Sequence, residues 1–356
     1  MSLIVIAAAA AIAALYVPAV QDALLWTMAS RSLERRRLGN TRLLRSDALR
    51  AVVCGSSSPM PDPRRAKTCI AVIAGGKLYI VDVGPNSAGA IGLPTDRLSA
   101  VFLTHFHSDH IGDLGELNNN SWGMGRTAPL DIYGPPGIER VVAGFSEAYA
   151  LDQEYRTAFY GPNFDPPQRW RMVAHPVALV GEPTTARDRT GIAFDDGKLK
   201  VTAIEVNHSP ADPAYGYRFD YQGRSIVISG DTVRHPPLAR AARGADVLFH
   251  EAQPEHVVKM IETISGEAGD LRVSKNVHGI GALHTTPPDA AAIANDAKVT
   301  LLVFYHVTGA LNVVGESVFA RGVKEVRPTG WLVPRDGTMI ELPLRSKEIK
   351  VSGAVQ

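Results

Sequence analysis

The sequence predicts a mixed α/β fold, and three observations carry that expectation. From about residue 48 onward, short apolar runs alternate with turns that carry glycine and proline. Several of the runs lead directly into segments with the character of a helix start. The composition is ordinary for a globular chain: 356 residues, 45% hydrophobic and 21% charged, enough for one large core or two small ones.

The first segment stands apart. Leu3 to Val20 is uncharged and includes Ala7 to Ala11. Its length lies near the lower end of the about 17–25 residues of a membrane span. No lysine or arginine precedes it, unlike a secretory signal. Arg31 and Arg35 to Arg37 follow, which by the positive-inside rule keeps the next domain on the cytoplasmic side. Export across the membrane is the other reading. Residues 1–45 are therefore expected to be a membrane anchor or signal segment with an amphipathic linker, and residues 46–356 one domain. The expected location is membrane-associated, through residues 3–20, or exported.

The strands follow in order. Leu49 to Cys54 reads as the first, and Cys69 to Ala74 and Lys77 to Asp82 flank Gly75-Gly76 as a hairpin. Leu98 to Leu103 is an apolar run with the look of a buried strand. Pro129 to Tyr133 reads as a strand and Gly137 to Ala150 as a helix. Residues 151–171 hold Tyr155, Phe159, Tyr160, Phe164 and Trp170 without a clear period. They read as a long loop, either packed on itself or walling a cleft. Leu199 to Val206 alternates as a strand, and Tyr215 to Phe219 and Ser225 to Ser229 flank a turn at Gln222-Gly223. Pro236 to Arg243 reads as a helix, Asp246 to His250 as a strand, Pro287 to Ala297 as a helix and Thr300 to Tyr305 as a strand. The glycine-bearing stretch 254–283 reads as irregular. No internal repeat of about 20–50 residues is present.

Formal net charge is +1, which gives no support to a general nucleic-acid binder. Two cysteines, Cys54 and Cys69, exclude a disulfide framework and a cysteine-rich zinc module. They read as two buried thiols, with a single bridge as the alternative.

The chemistry is concentrated after the run Leu98 to Leu103. His105, His107, Asp109 and His110 fall within six positions on a strand-to-helix loop. Imidazole and carboxylate together suit zinc and its first-row neighbours. His208, Asp231, His284 and His306 stand at loop positions next to other predicted strands and a helix. One histidine at a strand end is usually structural, but several beside such a cluster favour a shared metal site. His175, His235, His250, His256 and His278 read as non-ligands, with His256 and His278 near enough to His284 to reach substrate.

These motifs resemble the metallo-β-lactamase-fold hydrolases over roughly residues 50–345. The resemblance rests on Asp82 in Val81-Asp82-Val83-Gly84, on His-x-His-x-Asp-His at 105–110, on His208, on Ser229-Gly230-Asp231-Thr232 and on His306. Within that superfamily the chain is most similar to the ribonuclease Z and arylsulfatase-like branch. Pro213 to Phe219, Ala245 to Ala252 and His284 to Ala291 carry the narrower likeness. It implies a four-layer αββα sandwich with two metals at the sheet edge. One metal would take His105, His107 and His208, the other Asp109, His110 and His306, with Asp231 bridging. Five imidazoles and two carboxylates independently exceed one tetrahedral site. Two zinc ions are the expectation, and iron or manganese suit the same donors. Asp82 is expected outside the ligand set, bonded to a ligand imidazole or capping its turn.

The implied chemistry is hydrolysis, in which a water shared by the two metals attacks as hydroxide. Asp109 or Asp231 would orient it, and His284, held by Glu251, would serve the leaving oxygen as general acid. Ribonuclease Z proteins carry a long arm between the third ligand motif and the bridging aspartate, and the arm grips tRNA. His208 and Asp231 are only 23 positions apart, which leaves no room for it. The expected substrate is therefore a small-molecule phosphodiester or sulfate ester, with nucleic acid unfavoured. Trp122, Phe159 and Tyr160 are expected to wall an aryl or acyl group. A lactonase or β-lactam hydrolase on the same site is the alternative, with tRNA 3′ processing and a membrane-tethered binding or redox protein behind it. The oligomeric state is open, a homodimer included.

Overall fold

The computed structural model describes residues 15–60, 62–89, 92–308 and 313–353. It divides into a unit ending at Leu43 and a unit from Leu44 to Val355. In the first unit the described residues form a helix, α1 (Pro18–Leu43), whose apolar side chains Leu24, Leu25, Trp26, Met28, Leu33 and Leu38 are exposed. The expected amphipathic face is absent from it. The expected membrane attachment is corrected as well. Among the described residues no helix is long and apolar enough to cross a membrane. The helix that takes up the end of the apolar stretch runs on through Asp22, Arg31 and Glu34, while residues 3–14 of that stretch lie outside the described residues.

The second unit is the αββα sandwich. Its strands are β1 (Ala48–Gly55), β2 (Cys69–Ala74), β3 (Lys77–Val81), β4 (Leu98–Phe102), β5 (Leu130–Gly134), β6 (Met172–Pro176), β7 (Thr190–Asp195), β8 (Leu199–Val206), β9 (Ala214–Tyr221), β10 (Arg224–Ile228), β11 (Val247–Glu251), β12 (Leu301–Tyr305), β13 (Trp331–Leu332), β14 (Met339–Pro343) and β15 (Lys350–Ser352). One sheet has the order β15-β14-β1-β2-β3-β4-β5-β6 and the other β13-β12-β11-β10-β9-β8-β7. The run β3 to β6 is parallel, and so are β10, β11 and β12. Parallel strands are covered on both faces, which is why Leu301 to Tyr305 is an unbroken buried apolar run.

The inner faces share one core, with Val53, Val72, Phe102, Tyr217, Phe219, Ile226 and Phe249 all fully buried. Phe102 sits at its centre, 5.1–5.4 Å by ring centroids from Tyr133, Tyr217 and Phe219. On the outside of the second sheet lie α6 (Pro236–Ala241) and α9 (Pro287–Asp296), through Leu238, Ala291 and Ile293. On the first sheet's side are α2 (Ser108–Ile111), α3 (Leu114–Gly123), α4 (Ile138–Tyr160) and α5 (Pro167–Trp170). The short helices α10 (Val313–Phe319) and α11 (Val323–Val326) precede β13.

Three segments depart from the sequence expectation. The aromatic stretch 151–171 is not a loop: α4 continues to Tyr160, and α5 follows. The stretch 254–283 is a helical hairpin, α7 (Glu255–Glu267) and α8 (Leu271–Ala282). One of its glycines lets the pair approach: a Cβ at Gly281 would lie 2.9 Å from Val258 Cγ1. Asp270 caps α8 by accepting from Val273 N–H at 3.0 Å. Cys54 and Cys69 are joined as a disulfide rather than lying as separate thiols. The antiparallel register that pairs Arg50 with Ile73 and Val53 with Ile70 carries Cys54 to Cys69, and the ladder shifts just beyond, where Gly55 pairs with Cys69.

The turn after β3 fastens the sandwich to the histidine loop. Val83 N–H donates to His110 O at 2.6 Å, and Asp113 N–H donates to Val83 O at 2.9 Å. Gly84 is required there, because a Cβ would sit 2.1 Å from Asp109 O and 2.5 Å from Lys67 Cβ. Gly84→Ala is expected to cost about 1–3 kcal/mol by overpacking. The measurement is thermal unfolding, together with zinc binding, which should weaken because Asp109 must move.

Candidate metal centre

The histidines and carboxylates stand where strands end. The loop after β4 carries His105 and His107, and α2 brings in Asp109 and His110. His208 follows β8, Asp231 follows β10 and His306 follows β12. Because β8 runs in the same direction as β10, β11 and β12, these residues share the carboxyl edge of the second sheet. That edge is where open α/β sheets bind ligands. Gly230 and His306 adopt positive φ, +65° and +53°, as the chain turns away from the strand ends.

The two sheets bring seven expected residues to one spot. His107 Nδ1 lies 2.9 Å from His105 Nε2 and 3.3 Å from His208 Nε2. Asp109 Oδ2 is 3.1 Å from His306 Nε2 and 3.6 Å from His110 Nε2. Asp231 Oδ2 lies between the two trios. It is 3.2 Å from His110 Nε2, 3.3 Å from His306 Nε2, 3.9 Å from His208 Nε2 and 4.0 Å from His105 Nε2. Each trio has one donor atom per residue within 4.8 Å of the others. His110 Nε2 and Asp231 Oδ1 are buried with no hydrogen-bond partner. Buried polar atoms are seldom left so. Orphaned donors facing a cluster of nitrogens and oxygens suit divalent cations.

The outer nitrogens are held one by one. Asp82 Oδ2 is 2.8 Å from His110 Nδ1, and the same carboxylate accepts from Thr104 N–H and Oγ1–H, each at 2.8 Å. Thr104 Oγ1 reaches His105 Nδ1 at 3.0 Å. Leu283 O is 3.1 Å from His208 Nδ1. The Gln253 amide lies 3.2 Å from His306 Nδ1. A half-turn of that amide presents its unpartnered Oε1 to Nδ1–H, the donor that an Nε2-ligating imidazole has. Thr104, Gln253 and the Leu283 carbonyl were absent from the sequence reading. Only Thr104, directly before the cluster, carried any signal.

His284 and Glu251 form a separate pair at the rim. Glu251 Oε2 meets His284 Nδ1 at 3.2 Å, and its Oε1 accepts from Thr285 N–H at 2.8 Å. Burial works against the charged imidazole, but Glu251 overcomes it and raises the His284 pKa to about 9. Burial keeps His105, His107 and His208 below the usual histidine range, hence neutral and able to ligate. His110 is the opposite case: burial opposes its charge, yet Asp231, Asp82 and Asp109 hold its pKa well above normal. Asp231, despite burial, is held far below the carboxylate range by His306 and His110.

The expected substrate wall is corrected. Trp122 is buried, with its indole N–H donating to Pro166 O at 3.0 Å. Phe159 and Tyr160 are exposed in the last turn of α4, about 30 Å of helical rise from its start near the histidine loop. The cavity beside the histidines, about 370 Å³, is lined instead by Phe106, Pro136, Pro210, Ala211, Asp212 and Pro213. The other histidines lie outside the cluster. His175 pairs with Asp131, His235 Nε2 bonds the carbonyls of Arg187 and Glu205, and His250 Nδ1 bonds Glu251 O. His256 and His278 are on α7 and α8, the latter against Glu262.

The family described as "Beta-lactamase superfamily domain" matches residues 81–307. The chain is 34% identical over 270 residues to Ribonuclease Z of Mycobacterium bovis, covering 74% of this chain and 87% of that protein. Among solved structures it is similar to the short form of human tRNase Z, with TM-score 0.59, 19% identity, and 83% and 99% of the two chains covered. It is also similar to the metallo-β-lactamase fold protein YhfI from Bacillus subtilis, with TM-score 0.56, 18% identity, and 83% and 100% covered. These two likenesses concern the fold.

Asp82→Asn keeps the acceptor for Thr104 N–H and removes the charge beside His110. Zinc affinity, measured by competition with a chromogenic chelator, should fall by about 10–100-fold. Unchanged affinity would show that Asp82 only closes its turn.

Proposed function

The chain belongs to the β-lactamase superfamily of metal-dependent hydrolases, and within it we propose that it cleaves phosphodiester bonds of small molecules at a pair of zinc ions. The convergence of Asp231 with both imidazole-bearing trios carries this reading. His105, His107 and His208 would hold one ion, and Asp109, His110 and His306 the other, with Asp231 shared. Two such cations would supply Lewis acidity and lower the pKa of a bound water to about 7.

The chain's own side chains do the rest. Asp109 and Asp231 are the carboxylates within reach of the attacking water, and they orient it. Water supplies the new oxygen on phosphorus as the bond to the leaving oxygen breaks. His284 Nδ1 is committed to Glu251, so its Nε2 is the nitrogen free to hand a proton to that leaving oxygen. Glu251 keeps the imidazole both oriented and charged. The products are a phosphomonoester and an alcohol. A sulfate ester fits the same arrangement.

RNA is the second reading, and the ribonuclease Z relatives favour it against the sequence expectation of no nucleic acid. In this chain the residues between His208 and Asp231 are a short proline-rich loop and the hairpin of β9 and β10. That connection supports the small-substrate reading.

A panel of chromogenic phosphodiesters, sulfate esters, lactones, a β-lactam and a precursor tRNA separates these readings. Turnover of the small phosphodiesters, lost with chelator and restored by two equivalents of zinc, is expected. Turnover of the precursor tRNA alone would overturn the small-substrate reading. Loss of His284 has its own signature. His284→Ala should slow esters of poorly acidic alcohols by about 10²–10⁴-fold and p-nitrophenyl esters far less, because p-nitrophenolate leaves without a proton. Equal losses for both leaving groups would remove the general-acid role.

A further inference from the structure

The slot beside His105 and His107 differs in chemistry from the centre it adjoins. Phe106, Pro136, Pro210, Ala211 and Pro213 give it apolar walls around a volume of about 370 Å³. Among the described residues no lysine or arginine lines it. Its one carboxylate, Asp212, is held by both Nη atoms of Arg187, at 2.5 and 3.0 Å. The slot therefore offers an apolar surface and no uncommitted cation.

Its position relative to His284 gives it a role. The His284 ring packs on His208 and His306, at centroid distances of 5.2 and 5.1 Å, and His284 does not line the slot. His107 packs on His105 and His208, at 4.6 and 5.2 Å. With His284 as the proton donor proposed above, the leaving group of a bound diester would face it. The substituent that stays on phosphorus would then extend along the His105–His107 edge, where the slot opens.

We propose that this slot receives the retained substituent of the phosphodiester, and that it selects an uncharged apolar group, aryl or short alkyl. This rests on the phosphodiesterase reading above. A polynucleotide continuing on that side would bring further phosphates, which bind through free cations. The slot presents prolines, a phenylalanine and a neutralised aspartate instead. The product is then an apolar phosphomonoester.

The test keeps the leaving group constant. The full chain, loaded with zinc, is assayed on p-nitrophenyl phosphodiesters whose retained group is methyl, ethyl, phenyl or 5′-thymidyl. From methyl to phenyl, kcat/KM should rise by about tenfold or more, mainly through KM, with thymidyl below phenyl. In Ala211→Asp, which places a charge in the slot, the phenyl-to-methyl ratio should collapse toward one. Phe106→Ala should lower the same ratio, with zinc content measured alongside because Phe106 stands between two histidines of the cluster. Equal kcat/KM across the series in the unaltered protein, or a ratio preserved in both variants, overturns the slot while leaving the phosphodiesterase reading in place. If no member of the series is hydrolysed by protein that holds two zinc ions, that reading falls and the slot falls with it. Should either variant fail to fold, the series on the unaltered protein still decides.

Discussion

The Asp231 carboxylate is the constraint that the rest of the centre depends on. It is a buried charge with ring nitrogens of His105, His110, His208, His284 and His306 within 4.0 Å. A carboxylate so placed is costly without charge and hydrogen-bonding partners. The partners come from both sheets, so the centre forms only when the sandwich closes in register. Hydrogen bonds near the site fix that register. Tyr215 N–H donates to Thr104 O at 2.9 Å, and Tyr217 Oη–H donates to Leu103 O at 2.8 Å. Gly230 lets the loops meet, since a Cβ there would stand 2.3 Å from Tyr215 O and 3.2 Å from Thr104 Cβ. The aromatic core and the metal centre are thus two ends of one packing arrangement.

The halves of the centre differ in electrostatics. His105 and His208 are braced by neutral groups, a hydroxyl and a carbonyl, and His107 is partly open to solvent. His110 is braced by the buried carboxylate of Asp82, and Asp109 stands beside it. Asp231, Asp82 and Asp109 together hold the His110 pKa well above the usual histidine range, so this half of the centre favours positive charge.

Much of this was legible in the sequence, for a physical reason. Buried parallel strands require unbroken apolar runs, and polar residues immediately after such runs must lie at the sheet edge. His105 to His110, Asp231 and His306 each follow a run of that kind. What stayed hidden lacked a burial signature. Tyr155, Phe159, Tyr160 and Phe164 are exposed, so their spacing carries no helical stripe, although α4 runs through the first three. The glycines in 254–283 suggested irregular chain, yet Gly281 serves close helix packing. Leu3 to Val20 looked uniform because charge is absent before Asp22, but the helix that begins at Pro18 continues into a charged segment. Gln253 could not be singled out, because nothing in a strand-end glutamine announces the histidine it will touch. The bond between Cys54 and Cys69 depends on the register in which β1 pairs with β2, which no residue pattern reveals.

The periphery decides what the shared centre acts upon. Between His208 and Asp231 the chain builds only the loop, β9, the turn and β10, so the second sheet reaches the Asp231 carboxylate by the shortest antiparallel route. Between Glu251 and His284 it inserts α7 and α8. That hairpin is coupled to the chemistry at its exit, where Leu283 O braces His208 and the next residue is His284. A shift of α8 would move His208 and His284 together. The hairpin's exposed Met260, Ile264 and Leu271 therefore belong to an element whose placement is tied to the centre, even though none of them lines the apolar slot.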